Sequence, residues 1–377
     1  MTSKRNASYQ NLDEELHAIE SFWRWSVPEA FRRLFLNEAQ RHFAPCEFFS
    51  ADEIVRGAGR MFGQLPQFLP FGRVAGEDSL YGFYVSPLAG GSVPDGRAPV
   101  LYWDEAEAFL RPVASDFEAF LRRCIVAGRY ETEDEWPGAA IPDRTQLELF
   151  RTQLSVPPAL FECRLPRNDT DLYQRLASLD AQDSLSLCHL GCAARANGDD
   201  ERALDFFHRA SEASPWFGDT SYLLADIHRR RENYARAIEG YWAVVNRPVA
   251  LCTRTWEWDL GEDHPDADVY EVAADAITQF ADAASDAVRE SPLWRIVTRE
   301  DAYDPNAREQ LAKRFAVQGR LPDAERELLT ALSLTAGERS RQPERIYARL
   351  VEVYARMRRE RDAALAQFDA GLPRQTV

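Results

Sequence analysis

Six histidines, six cysteines and scattered carboxylates are the groups of this chain that could do chemistry. The histidines are His17, His42, His189, His208, His228 and His264, and none stands in a hydrolase or metalloprotease motif. Cys188-His189 with Cys192 offers thiolate and imidazole ligands within one helical turn, a fragment of a zinc site. No second ligand pair follows nearby, and small thiols at this spacing also suit helix packing, so no metal is expected. Gly57-Ala-Gly59 runs into Arg60-Met-Phe-Gly63, with no phosphate-loop lysine and no strand before it. Asp104-Glu105 ends a strand-like run. Neighbours on a strand point to opposite faces, so a turn with solvated acids is expected rather than a catalytic pair. The chain reads as a non-enzyme without cofactor or metal.

The chemistry that remains is recognition. Trp256-Glu-Trp258-Asp-Leu-Gly-Glu-Asp263 sets two tryptophans among carboxylates. Either these rings pack on the helices before them, or they dock a partner. What must position them is a repeat. Leu187, Leu190, Gly191, Ala203, Phe207, Ala210 and Pro215 fall at positions 4, 7, 8, 20, 24, 27 and 32 of a frame beginning at Ser184. The frame recurs from Gly218 (Leu224, Ala225, Ala237, Tyr241, Val244), from Pro305 (Leu311, Ala312, Phe315, Ala324, Leu328, Ala331) and from Glu344 (Leu350, Tyr354, Ala363, Ala370, with Gln367 a departure). Small residues let paired helices approach, large ones fill the gap, and proline ends the second helix.

This pattern resembles the tetratricopeptide repeat, a helix-turn-helix unit of about 34 residues that stacks into a solenoid with a concave binding face. In that geometry, positions 2, 5, 9, 12 and 13 of each first helix face the groove. They are Asp219, Tyr222, Asp226, Arg229 and Arg230 in the second frame, and Asn306, Glu309 and Lys313 in the third. With Trp256 and Trp258 these are the candidate partner-binding residues, and the groove positions are expected to be exposed on one surface.

Composition narrows the partner. The 377 residues are 45% hydrophobic, enough to fold as two or three domains. No 18-residue apolar run exists and the start is polar, so neither a membrane span nor a secretory signal is expected, and residence is cytoplasmic by default. The scattered cysteines do not form a disulfide framework. A net charge of −16, with no basic cluster carrying interleaved aromatics, argues against nucleic acid and for a basic protein partner. Residues 250–304 carry 14 acids against 4 bases and break the repeat spacing, so they read as an acidic insertion holding one long helix from Asp268 to about Arg289.

The first third of the chain has another period. After a tail at 1–10, Leu12 to about Trp25 reads as a helix, and Pro28 opens a second. Leu69–Val74, Leu80–Ser86 and Pro99–Trp103 carry strand signals between glycines and prolines. Ser115 and Glu118 form a capping box before Phe117, Phe120, Leu121 and Cys124, an apolar face for the sheet. Prolines punctuate 131–183, with short helices expected at Thr145–Leu154 and Thr170–Leu179.

The segments Leu69-Pro-Phe-Gly-Arg-Val-Ala-Gly-Glu-Asp78, Leu80-Tyr-Gly-Phe-Tyr-Val85, Pro99-Val-Leu-Tyr-Trp-Asp104 and Ala114-Ser-Asp-Phe-Glu-Ala-Phe-Leu121 follow one another as in the SUKH superfamily, which residues 12–127 resemble. Val27-Pro28-Glu-Ala-Phe31 is similar to its early helix start, and the loop Leu88–Arg97 departs from it. The resemblance implies a non-catalytic α+β domain. Bacterial members are often immunity proteins that bind and neutralise toxins; fungal members regulate cell-wall synthesis through protein contacts. It carries over no catalytic residue. Phe71, Trp103, Asp104, Phe117 and Phe120 read as core and turn positions.

The expected architecture is an α+β domain at 11–130 (an antiparallel-rich sheet with packing helices), a linker at 131–183, and an all-α tetratricopeptide solenoid at 184–377 with the insertion at 250–304. The expected function is toxin neutralisation of the immunity type, or a general scaffold using the groove.

Overall fold

The computed structural model describes residues 12–35, 42–43, 46–60, 64–74, 77–85, 98–104, 107–130, 166–258, 267–335 and 342–371. The tail at 1–10, the acidic run at 131–135, the loop Leu88–Arg97 and the expected helix Thr145–Leu154 lie outside these residues.

The first unit runs α1 (Leu12–Trp23), α2 (Glu29–Phe35), β1 (His42–Phe43), β2 (Cys46–Phe48), α3 (Ala51–Val55), β3 (Phe68–Val74), β4 (Leu80–Tyr84), β5 (Val100–Asp104), β6 (Phe109–Ala114) and α4 (Phe117–Tyr130). The strands form one antiparallel sheet in sequence order, β1 to β6. Alternation sends Phe71, Tyr81 and Phe83 to the helix side. There Phe31 of α2 lies 5.7 Å from Phe71, 5.4 Å from Phe83 and 5.2 Å from Phe117, and Tyr81 lies 4.9 Å from Phe120. Edge-on aromatic contacts of this kind add to the area they bury.

An antiparallel sheet commonly leaves one face wet. Here β4 is buried at every position and β3 at all but Arg73. The second face is covered by the helical unit: Tyr84 meets Trp216 at 5.0 Å, and β6 packs on the helix Ser184–Ala196 and on the turn Val249–Leu251. Gly82 is a close approach on that face, since a Cβ there would sit 2.5 Å from the Phe68 ring.

That unit begins with α5 (Asp169–Leu179), which packs on α4. It continues with α6 (Ser184–Ala196), α7 (Asp200–Ala213), α8 (Gly218–Arg230), α9 (Tyr234–Val245), α10 (Val269–Gln279), α11 (Asp286–Arg289), α12 (Pro292–Arg299), α13 (Pro305–Val317), α14 (Leu321–Leu334), α15 (Gln342–Arg356) and α16 (Glu360–Ala370). Helices α6/α7, α8/α9, α13/α14 and α15/α16 pack as hairpins, each closed by a three-residue loop. The middle loop residue is left-handed in all four: Gly198 (φ 78°), Glu232 (φ 57°), Gly319 (φ 78°) and Arg358 (φ 58°). Ala203, Phe207, Ala210, Ala225, Ala237, Tyr241, Ala312, Leu328, Leu350 and Tyr354 are all buried, as the frame requires. A Cβ on Gly191 would meet the Phe207 ring at 2.2 Å, so the first hairpin closes on that missing methyl.

Two local expectations are corrected, and one strand was missed. The cap of α4 is Asp116, whose Oδ1 accepts from Ala119 N at 2.8 Å, while Ser115 donates its N–H and hydroxyl to Asp180 at 2.9 and 2.8 Å. Ser115 is thus drawn off to tie the sheet to α5. The insertion does not hold one helix to Arg289. It breaks after Gln279, where the Phe280 ring stacks on Tyr234 at 4.6 Å and the chain turns through Ala281–Ala283. Strand β6 was not foreseen, because Pro112 interrupts its pattern; it pairs across a shifted register between Val100 and Leu101. No helix among the described residues is long and apolar enough to cross a membrane.

Candidate functional site

Asp219 stands in the first turn of α8, where the helix dipole favours a carboxylate. It is fully buried. Its Oδ1 accepts from Thr253 N at 3.0 Å, and its Oδ2 accepts from Trp258 Nε1 at 2.7 Å and from the Thr253 hydroxyl. Among the described residues no cation pairs with it. Burial outweighs these three donors and pushes its pKa up to about 7. Trp258 is itself buried, 6.5 Å from Phe217, so the tryptophan packs on the second hairpin instead of reaching a partner. The segment it belongs to also grips the sheet: Glu257 accepts from Arg111 at 2.9 Å, and Arg254 donates to Glu107 at 2.7 Å. Burial raises the Glu257 pKa in spite of Arg111.

Two turns further along α8, Asp226 collects three guanidiniums: Arg195 at 3.0 Å, Arg229 at 2.8 Å and Arg230 at 3.0 Å. Arg195 adds a bond to the Trp258 carbonyl at 3.5 Å. Tyr222 and Tyr241 lie beside this cluster with ring centres 5.9 Å apart, and burial raises both phenols above their ordinary value. His189 keeps a partly exposed edge, yet its ring is stacked on Tyr173 at 4.0 Å and faces Trp258 at 5.2 Å. Desolvation, with Arg123 and Arg111 adding to it, pushes the imidazole down to about 3.

The expected exposed groove is therefore corrected at the second hairpin. Asp219, Tyr222 and Asp226 are buried: Thr253 and Trp258 of the segment 249–258 close over Asp219, Tyr241 packs against Tyr222, and Asp226 lies under its three arginines, of which Arg229 and Arg230 stay half-exposed. Trp258 belongs to the same buried cluster, and the side chain of Trp256 lies outside the described residues. In α13, Glu309 is buried beneath Arg345 and Arg349, the latter at 2.8 Å, whereas Asn306 and Lys313 are exposed. Arg345 reaches both Asn306, at 3.4 Å, and Glu309. The structure thus divides the candidates it describes into a closed cluster around α8 and, on α13, the buried Glu309 between the exposed Asn306 and Lys313.

Sequence reasoning missed the contacts that join the fourth hairpin to the sheet unit. Arg60 pairs with Asp369, the Gln67 amide donates to the Tyr354 hydroxyl, Tyr347 donates to the Gln64 carbonyl at 3.0 Å, and Arg361 donates to the Val85 carbonyl at 2.9 Å. The only available signal was arginine and tyrosine at helix positions where a solvated or apolar residue would do. The described residues line a cleft of about 340 Å³ among Gln174, Leu190, Ala193, Phe206 and Arg209, and another of about 190 Å³ among Ala312, Lys313, Ala316, Val317 and Val353. Among the described residues no three His, Cys, Asp or Glu side chains gather as metal ligands, and Cys188 is a core residue. Asp104 accepts from Glu107 N at 3.0 Å, the geometry of a turn.

Residues 11–123 match the family model described as SMI1 / KNR4 family (SUKH-1). That span ends inside α4 and holds the whole sheet. No curated protein matches the chain.

Proposed function

We propose, from a SUKH-1 domain at residues 11–123, that this protein is a non-catalytic protein-binding module of the immunity type, which holds and neutralises a protein toxin. The observation that carries the reading is the fusion itself: the sheet of the family domain is covered on its second face by helix hairpins, so the two units present one continuous surface. The hairpins are read as tetratricopeptide repeats. Four three-residue loops with a left-handed middle residue, and small residues at the buried frame positions, support that identity. The net charge of −16 favours a basic protein partner by steering and excludes nucleic acid as the first expectation. Residence in the cytoplasm belongs to the same proposal, as does the lack of a membrane or cofactor role.

Affinity capture from native extract, followed by co-expression with the recovered protein, tests it. Recovery of a protein that arrests growth alone and fails to do so with this chain supports the immunity reading. A harmless partner moves the function to the runner-up, a regulatory scaffold. Turnover of a substrate by the purified chain would overturn both.

A further inference from the structure

We infer that the open groove between α13 and α15 binds an acidic peptide segment of a protein partner, seating one apolar side chain on Val317 and its carboxylates on Lys313 and Arg356. Val317 is 82% exposed, against 37% for Tyr234, the other large exposed apolar side chain among the described residues. A lone surface valine means little. This one stands at the mouth of a concave cleft of about 190 Å³ whose floor is Ala312, Ala316, Leu328 and Val353. Two cations bracket it. Lys313 lies one turn earlier on the same helix face, and no carboxylate pairs with it among the described residues. Arg356 donates from Nη2 to the Ala316 carbonyl at 2.8 Å, which fixes its guanidinium beside Val317 and leaves its other N–H groups free of any carboxylate there.

A third cation, Arg349, also lines the cleft and shares the buried Glu309 carboxylate behind it with Arg345. Glu352 is the only acid among the described residues lining the cleft. Three cations, Lys313, Arg349 and Arg356, against the one carboxylate of Glu352 make the described lining a positive patch on a chain of net charge −16. The whole-molecule charge repels a long polyanion. A short peptide with a few carboxylates feels mainly the charges within a Debye length, about 8 Å at physiological salt. The partner chemistry at this groove is thus the opposite of what the overall charge favours. The inference relies on the protein-binding reading only for the kind of ligand.

The test uses the full chain and a fluorescein-labelled Glu-Glu-Leu-Glu-Glu peptide, read by anisotropy. Controls are the Lys-Lys-Leu-Lys-Lys and Glu-Glu-Ser-Glu-Glu peptides and a labelled oligothymidylate. Saturable binding of the first probe alone is expected. Lys313→Glu and Val317→Asp should each weaken it by roughly tenfold or more, the scale of one lost charged or apolar contact, while Glu352→Lys should tighten it. All three side chains are exposed, so the thermal melt should not move. Absence of saturation up to about 1 mM, indifference to Lys313→Glu, or preference for the lysine peptide or the oligonucleotide would overturn the assignment. If capture yields a toxin but the peptide does not bind, this groove alone is wrong. If the peptide binds but no partner is captured, the earlier reading fails and this one stands.

Discussion

Arg60 and Asp369, 309 residues apart, form a bidentate pair: Nε lies 2.7 Å from Oδ1 and Nη2 2.6 Å from Oδ2, with both side chains almost fully buried. The remaining donors of Arg60 go to the carbonyls of Phe68 and Pro66 at 2.9 and 3.1 Å. The last helix is thereby locked to the entrance of β3. Removing one partner of such a pair strands a buried charge and costs about 3–5 kcal/mol. Asp369→Ala should lower the midpoint of denaturant unfolding by a matching amount and expose the β3 edge to amide exchange. Loss of less than about 1 kcal/mol would mean that the pair is solvated and the two units are only loosely joined.

The Phe117→Ala substitution follows from the aromatic cluster. Phe117 is 1% exposed and its ring meets Phe31, Phe48, Phe71, Phe83 and Phe120. Truncation should cost about 3–5 kcal/mol. With a sheet shared between helices on one face and hairpins on the other, this loss should lower a single joint transition. Two separate transitions, with the hairpin unit unmoved, would show that the interface adds no cooperativity.

Much of this arrangement was legible in the sequence, and the failures share a cause. Period-two runs at Leu69–Val74 and Leu80–Ser86 and the buried frame positions came from local pattern, which reports what one element needs. The burial of Asp219 depends on Thr253 and Trp258, that of Asp226 on Arg195 of another hairpin, and that of Glu309 on Arg345, across distances that no periodicity encodes. The repeat frame assumed an empty concave side. A sheet whose second strand face is apolar (Phe68, Leu80, Leu101, Trp103) had to find a cover, and that demand was readable but not read. The left-handed loop positions were likewise hidden where Glu232 and Arg358 stand in place of glycine.

Those two loop residues give a stabilising prediction. A non-glycine residue in the left-handed region costs about 1–2 kcal/mol, and glycine returns part of this as chain entropy, about 0.5–1 kcal/mol. Glu232→Gly and Arg358→Gly should each leave a gain of up to about 1 kcal/mol, additive because the loops are distant. Glu232 is exposed, so little else changes with it. A lower melting temperature for Glu232→Gly would show that the loop's strain is relieved in some other way.

Gly191→Ala tests the closing of the first hairpin. The added methyl would sit 2.2 Å from Phe207 Cε1, inside contact distance, and Phe207 is fully buried with nowhere to turn. Overpacking of this kind costs about 1–3 kcal/mol. The paired substitution Gly191→Ala with Phe207→Leu should recover part of the loss. If the single variant melts like the parent, the helices are free to slide and the packing described for α6 and α7 is wrong.

Asp219 makes stability depend on pH. Burial raises its folded pKa to about 7, above the ordinary 3.8. The folded state therefore binds this proton more tightly than the unfolded chain. The stabilisation is fully present below the unfolded value and is lost as pH rises through about 7. Between pH 8 and pH 6 the gain on acidification should be about 1 kcal/mol. Burial also raises Asp183, Glu257, Glu325 and Asp369, which act in the same direction. His189 opposes them: its folded pKa is lowered to about 3, so acidification below 6.5 favours the unfolded, protonated imidazole. The comparison that isolates Asp219 is therefore the parent against Asp219→Asn, by denaturant midpoint at pH 8, 7 and 6. The variant should be less stable throughout, because its amide turns a donor toward Thr253 or Trp258. Its midpoint should also lack the parent's rise between pH 8 and pH 6. Parallel pH profiles for the two proteins would show that the Asp219 proton does not change hands in this range, and that its three hydrogen bonds keep it ionised.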